Sequence, residues 1–103
     1  MRVVRAADFT ASRPWGSLDL ERIADATVRL HWTDQAYIRH VNDGPEVFAV
    51  LDGTVDMHVR DGTGEKTIRL QRGDLFHARP GDEHKAEPLG EARVLVIEKA
   101  GSV

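Results

Sequence analysis

From Thr27 onward the chain alternates in twos. Val55, Met57 and Val59 are interleaved with Asp56, His58 and Arg60, the pattern of a strand with one dry and one wet face. Short runs rich in β-branched and aromatic residues predict strands over Thr27–Trp32, Ala36–Val41, Val47–Leu51, Val55–Arg60, Lys66–Leu70, Leu75–Ala78, Lys85–Glu87 and Arg93–Glu98. Val94–Ile97 is apolar at every position and reads as a central strand covered on both faces. Between the runs stand Asp43-Gly44-Pro45, Asp52-Gly53, Asp61-Gly62-Thr63-Gly64, Arg72-Gly73-Asp74, Pro80-Gly81-Asp82 and Leu89-Gly90. Gly reaches positive φ without steric cost and Asp closes local hydrogen bonds, so each predicts a chain reversal. Asp52-Gly53 predicts a type I′ hairpin joining the strands on either side. Only Ser17–Asp25, with Leu18, Leu20, Ile23 and Ala24, has helical spacing, enough for a single short turn. The expectation is an all-β sandwich or barrel.

Composition narrows the function classes. A length of 103 residues fits one domain, residues 1–103. One core of this size has a thin stability margin, so a homodimer is expected, with residues 1–25 as an N-terminal arm available to the interface. Fourteen Lys and Arg against 17 Asp and Glu give a net charge of −3, and no basic run exists, so nucleic acid is not an expected partner. The chain has no cysteine, which excludes disulfides, thiolate metal sites and thiol nucleophiles together. Any metal must be held by imidazole, carboxylate, amide or water. Met1–Thr10 lacks the apolar run of a signal peptide, and Val47–Leu51 is far too short to cross a bilayer. A cytoplasmic protein with no membrane partner is expected.

Two stretches carry the most specific signal: His40-Val-Asn42-Asp-Gly-Pro-Glu46, continuing to Gly53, and Gly73-Asp74, continuing through His77 and Pro80-Gly81 to His84. Together they resemble the two motifs of the cupin superfamily, over roughly Val28 to Ile97. The first motif has His-x-His, three or four residues, Glu, six residues and Gly; the second has Gly-Asp, a strand, Pro-Gly, two residues and His. The resemblance implies a double-stranded β-helix, or jelly-roll barrel, frequently dimeric, with a metal held inside by imidazoles and a carboxylate. Carried onto this chain, the metal positions are His40, Asn42, Glu46 and His84. Asn42 stands where the family has its second His, and an amide oxygen is the weaker donor. His40, Glu46 and His84 still match the two-imidazole, one-carboxylate count that binds Fe(II) and also suits Mn, Ni, Zn or Cu.

Alternation puts Ile38, His40 and Asn42 on one face of their strand. A shift by one residue puts Arg39 and Val41 inward instead and turns His40 outward, leaving too few ligands; the first register is the more coherent. Glu46 opens an apolar run, so it must be solvated, paired with a base such as Arg39, or coordinated. His77 is either a substitute imidazole or a satisfied core histidine. His31 and His58 read as structural or surface residues, and Trp15 and Trp32 as core or interface anchors. Tyr37, Arg39 and Arg79 are candidates for steering an anionic substrate. No phosphate loop, nucleophile elbow or paired-acid cleft is present. Three functions follow: a metal-dependent enzyme acting on a small molecule, a metal-free binder of one, or a structural barrel.

Overall fold

The computed structural model describes residues 1–101 as two antiparallel sheets packed face to face. Its strands are β1 (Gly16–Ile23), β2 (Ala26–Thr33), β3 (His40–Val41), β4 (Glu46–Asp52), β5 (Val55–Asp61), β6 (Gly64–Leu70), β7 (Leu75–Ala78), β8 (Glu83–Pro88) and β9 (Ala92–Lys99). One sheet has the order β1-β2-β9-β4-β7, the other β3-β8-β5-β6. The chain repeatedly leaves one sheet for the other, which is the jelly-roll solution to closing a barrel. A 3₁₀ turn at Ala6–Asp8 is the one helical element among the described residues.

The period-2 pattern places the core. Val55 and Met57 of β5, Leu70 of β6 and Ala86 of β8 meet Phe48 and Val50 of β4 and Ala92, Val94 and Val96 of β9. Their alternating neighbours, such as Asp56, His58 and Arg60, point away from the barrel.

Four expectations change. Asp52-Gly53 does not close a hairpin, because β4 and β5 lie in different sheets. A type I′ turn needs two consecutive positive φ angles, and here only Gly53 has one, at 81°. The turn is a corner between sheets, and a side chain at Gly53 would strike the Glu91 carbonyl and Ala92 backbone. Ser17–Asp25 contains no helical turn. An eight-residue strand paired with β2 at seven positions satisfies its backbone better than one unsupported turn could. A bulge between Asp19 and Glu21 breaks the alternation there, and Ile23 is left 64% exposed. Of Ala36–Val41, only His40–Val41 forms regular strand, although Tyr37 N–H still donates to the Ala86 carbonyl at 2.9 Å.

The fourth change concerns β9. It is central, between β2 and β4, and Val94 and Val96 are buried inward. Its outer face is not fully covered, since Ile97 remains 36% exposed. Part of that outer side is taken by the chain's own N-terminal arm. The 3₁₀ turn packs on β4, and Arg93 donates Nε to the Phe9 carbonyl at 2.8 Å and Nη1 to Asp52 Oδ2 at 3.0 Å. Leu30 and Trp32 of β2 are buried on this outer side, with Trp32 Nε1 donating to Glu91 Oε1 at 2.9 Å. The arm therefore ends before β1, and residues 16–23 belong to the sheet.

Candidate functional site

The inner faces of β4 and β9 change character along their length. Val50 pairs with Val94, then Phe48 with Val96, then Glu46 with Glu98. Directly opposed like charges destabilise a sheet, so this last pair needs a proton or a cation between its carboxylates. At that end the barrel opens a cavity of about 150 Å³.

His40 and His84 face each other across β3 and β8 in exact register, with ring centroids 4.4 Å apart. Glu46 reaches them from the opposite sheet. Each of the three offers one ligand atom, and these atoms lie within 4.8 Å of one another. His84 is 2% exposed and Glu46 7%. His84 Nε2 approaches Glu46 Oε1 at 3.1 Å, yet the geometry is too poor for a hydrogen bond, and both Glu46 Oε1 and His84 Nδ1 are buried without one. Buried polar atoms without partners are rare and costly. His40 Nδ1 lies 3.3 Å from the Ile38 carbonyl. A carbonyl only accepts, so Nδ1 carries a proton and Nε2 is the nitrogen left to face a metal, the arrangement that orients an imidazole toward one. Donor chemistry, convergence and orphaned atoms all fit a first-row cation.

The electrostatics of the two carboxylates diverge. Burial pushes Glu46 up, but its contacts with His84 and Glu98 and the charges of His84 and His40 outweigh this and hold it below the usual carboxylate range. Glu98 is pushed up to about 7, by burial first and by Glu46 second. One carboxyl of the pair is thus ionised while the other retains a proton near neutrality.

Of the rest of the wall, only Tyr37 was a candidate from the sequence. His31 faces inward on β2, and its Nδ1 donates to the Trp15 carbonyl at 3.0 Å. Burial, aided by the Arg29 charge and only partly offset by the hydrogen bond to Trp15, lowers its pKa below the usual imidazole value. Arg29 also faces the cavity. The misleading signal was the alternation itself: Leu30 and Trp32 are the apolar set of β2, but they lie under the outer layer, and Arg29 and His31 take the inside. Trp15 is both core and cavity wall, packing on Phe48 and Tyr37 with centroids 6.5 and 5.2 Å away. Tyr37 lines the cavity, its ring perpendicular to that of His40.

Other candidates stand elsewhere. Asn42 is buried, but its side-chain amide donates to the Gly44 carbonyl at 3.3 Å, and it does not line the cavity. Its backbone instead joins the two motif turns, through Asn42 N–H to Asp82 O and Gly81 N–H to Asn42 O. His77 is exposed on the outer face opposite Val47, because β7 turns Phe76 and Ala78 inward; it is no substitute ligand. His58 is on the outside of its sheet, bonded to Thr67 and Glu87. Arg39 pairs with Glu65 rather than Glu46, Arg79 is exposed on the second motif's turn, and Val41 is 60% exposed, so the strand adopts the register with His40 inward.

Among curated proteins none matches this sequence. Solved structures do. A cupin-2 domain containing protein from Shewanella frigidimarina is 26% identical, with a TM-score of 0.78 and 94% of each chain covered. A cupin superfamily protein from Desulfitobacterium hafniense is 16% identical, with a TM-score of 0.77, 91% of this chain covered and 85% of that one. A hydroquinone 1,2-dioxygenase from Sphingomonas sp. TTNP3, with 4-hydroxybenzoate bound, is 18% identical at a TM-score of 0.75 over 88% of this chain and 29% of its own. The family model for the cupin domain matches residues 20–98. With both motifs, the two-sheet barrel and that match in agreement, the chain belongs to the cupin domain family.

Proposed function

We propose that this cupin holds one divalent first-row cation on His40, Glu46 and His84 and acts on a small organic molecule in the adjoining cavity. The observation that carries this reading is that two buried atoms, Glu46 Oε1 and His84 Nδ1, have no hydrogen bond at the point where the three side chains converge. Two imidazoles and a carboxylate, without thiolate, suit Fe, Mn, Ni, Zn or Cu and leave positions open. Such a cation, when bound, supplies a Lewis acid for a substrate oxygen, or a redox centre if it is iron.

The chain's own residues supply the surroundings. The Ile38 carbonyl orients His40, Phe48 and Val96 keep water from one wall, and Glu98 holds a proton beside Glu46. Asn42 stays with its turn and leaves the ligand set at three. Metal analysis of protein purified without chelator tests this. Near-stoichiometric metal is expected, falling at least tenfold in His84→Ala; substoichiometric metal unchanged by the substitution overturns it.

A metal-free binding role is the second reading, and the 3.1 Å approach of His84 to Glu46 favours it, because an ion pair at that distance offsets part of their burial without a metal. Its mark is a melting temperature that a chelator leaves alone and a small molecule raises. In either reading residues 1–103 work as one cytoplasmic domain. The outward Leu75 and Ile97, 70% and 36% exposed, support association of two copies through the larger sheet. Sedimentation showing only monomer at tens of micromolar protein would remove the dimer.

A further inference from the structure

Arg29 is out of place for a barrel interior. It stands on the inner face of β2, opposite Val96, and lines the cavity. Its Nε lies 3.1 Å from Asp19 Oδ1, and no other acid lies within ion-pair distance of it among the described residues. Asp19 is 72% exposed, so water screens that pair. The terminal nitrogens of the guanidinium are left for another partner, and their planar fork matches a carboxylate with two parallel hydrogen bonds. A dianion such as phosphate would meet Glu98 and Asp19 with only one guanidinium to offset them, whereas a monoanion is tolerated.

A second part of the cavity wall is set by backbone strain. Trp15 has φ 61°, a left-handed conformation that a bulky side chain rarely adopts. Two hydrogen bonds hold it there, His31 Nδ1 to the Trp15 carbonyl at 3.0 Å and Trp15 Nε1 to the Gln35 carbonyl at 2.9 Å. The result is an indole packed edge-on to Tyr37, which in turn touches His40. This makes an aromatic wall that runs up to His40, one of the three converging ligands. A volume of about 150 Å³ is of the size that admits a single benzene ring.

We propose that the molecule this cavity takes is a small planar carboxylic acid of about one ring, its carboxylate on Arg29 and its flat body against Trp15 and Tyr37. The assignment of the ligand's inner end to a metal rests on the function proposed above; the Arg29 contact does not. The test is calorimetric titration of zinc-loaded protein with benzoate and with the neutral isostere benzamide. Benzoate is expected to bind at least tenfold tighter. Arg29→Gln should abolish that preference while zinc affinity stays within twofold, and Arg29→Lys should restore part of it, with circular dichroism confirming that both variants fold. Equal affinities in the parent, or an undiminished preference in Arg29→Gln, overturn the proposal. Failure of zinc to bind is a separate result against the metal. The same titration on metal-free protein then decides Arg29 alone: an Arg29-dependent preference for benzoate sustains it and no preference ends it.

Discussion

The two ends of the barrel are built from the same strands and do opposite work. At one end β4 and β9 oppose Val50 with Val94, both fully buried against Val55 and Met57. Two pairs further along, the same strands oppose Glu46 with Glu98. Every contact at the first end follows from burying apolar surface, worth about 25 cal/mol per Å². The second end departs from that rule: it places like charges face to face, leaves Glu46 Oε1 and His84 Nδ1 without hydrogen bonds, and bends Trp15 to φ 61°. Folding does not ask for such an arrangement. Departures from local consistency of this sort concentrate where a protein binds something, and here they share one cavity.

Substitutions can break the comparison from either end. The largest effect should come from the dry end. Met57→Ala removes a fully buried side chain and is expected to cost about 2–5 kcal/mol in chemical denaturation, with metal affinity unchanged. The reverse is expected of His40→Ala at the wet end. Metal affinity should fall by about 10–100-fold or more, while the metal-free protein, whose His40 is only half-buried, keeps its denaturation midpoint.

A smaller and pH-dependent effect is expected at Glu98. Its folded value of about 7 lies above the ordinary 4.5, so the folded state holds an extra proton between those values. The stability this gives is present at low pH and is lost as pH rises through 7. Metal-free parent protein should therefore weaken between about pH 5 and 8 relative to Glu98→Gln, by about 1–2 kcal/mol once the half-exposed carboxyl is discounted for screening. Parallel stability curves for parent and variant would show that Glu46 and Glu98 do not share a proton. Least of all is expected from the outer faces: Arg69→Ala breaks its bond to Asp56, 2.9 Å in length, and should leave the melting curve where it was.

The same contrast explains what the sequence made legible. The dry end was readable, because Val55, Met57 and Val59 obey a simple rule: apolar in, polar out. The His40, Glu46 and His84 convergence was readable through the cupin motifs and the register of one short strand. The remaining wall was hidden for a physical reason. On β2 the rule is inverted: Leu30 and Trp32 are buried on the outer side of the larger sheet, and Arg29 and His31 face the cavity. Trp15 could not be placed from local pattern, because its position depends on a positive φ and on hydrogen bonds to His31 and Gln35. Glu98 was visible only as the end of an apolar strand; its partnership with Glu46 is a matter of cross-strand register. Asp52-Gly53 misled in the other direction, a turn of the right composition that joins two sheets instead of two neighbours.

The most direct measurement is anomalous diffraction from crystals of manganese-loaded protein. The account expects one strong peak inside the barrel, at bonding distance of about 2.0–2.3 Å from a nitrogen of His40, a nitrogen of His84 and an oxygen of Glu46. A map without a peak at that point, with His84 still resting against Glu46, would contradict it.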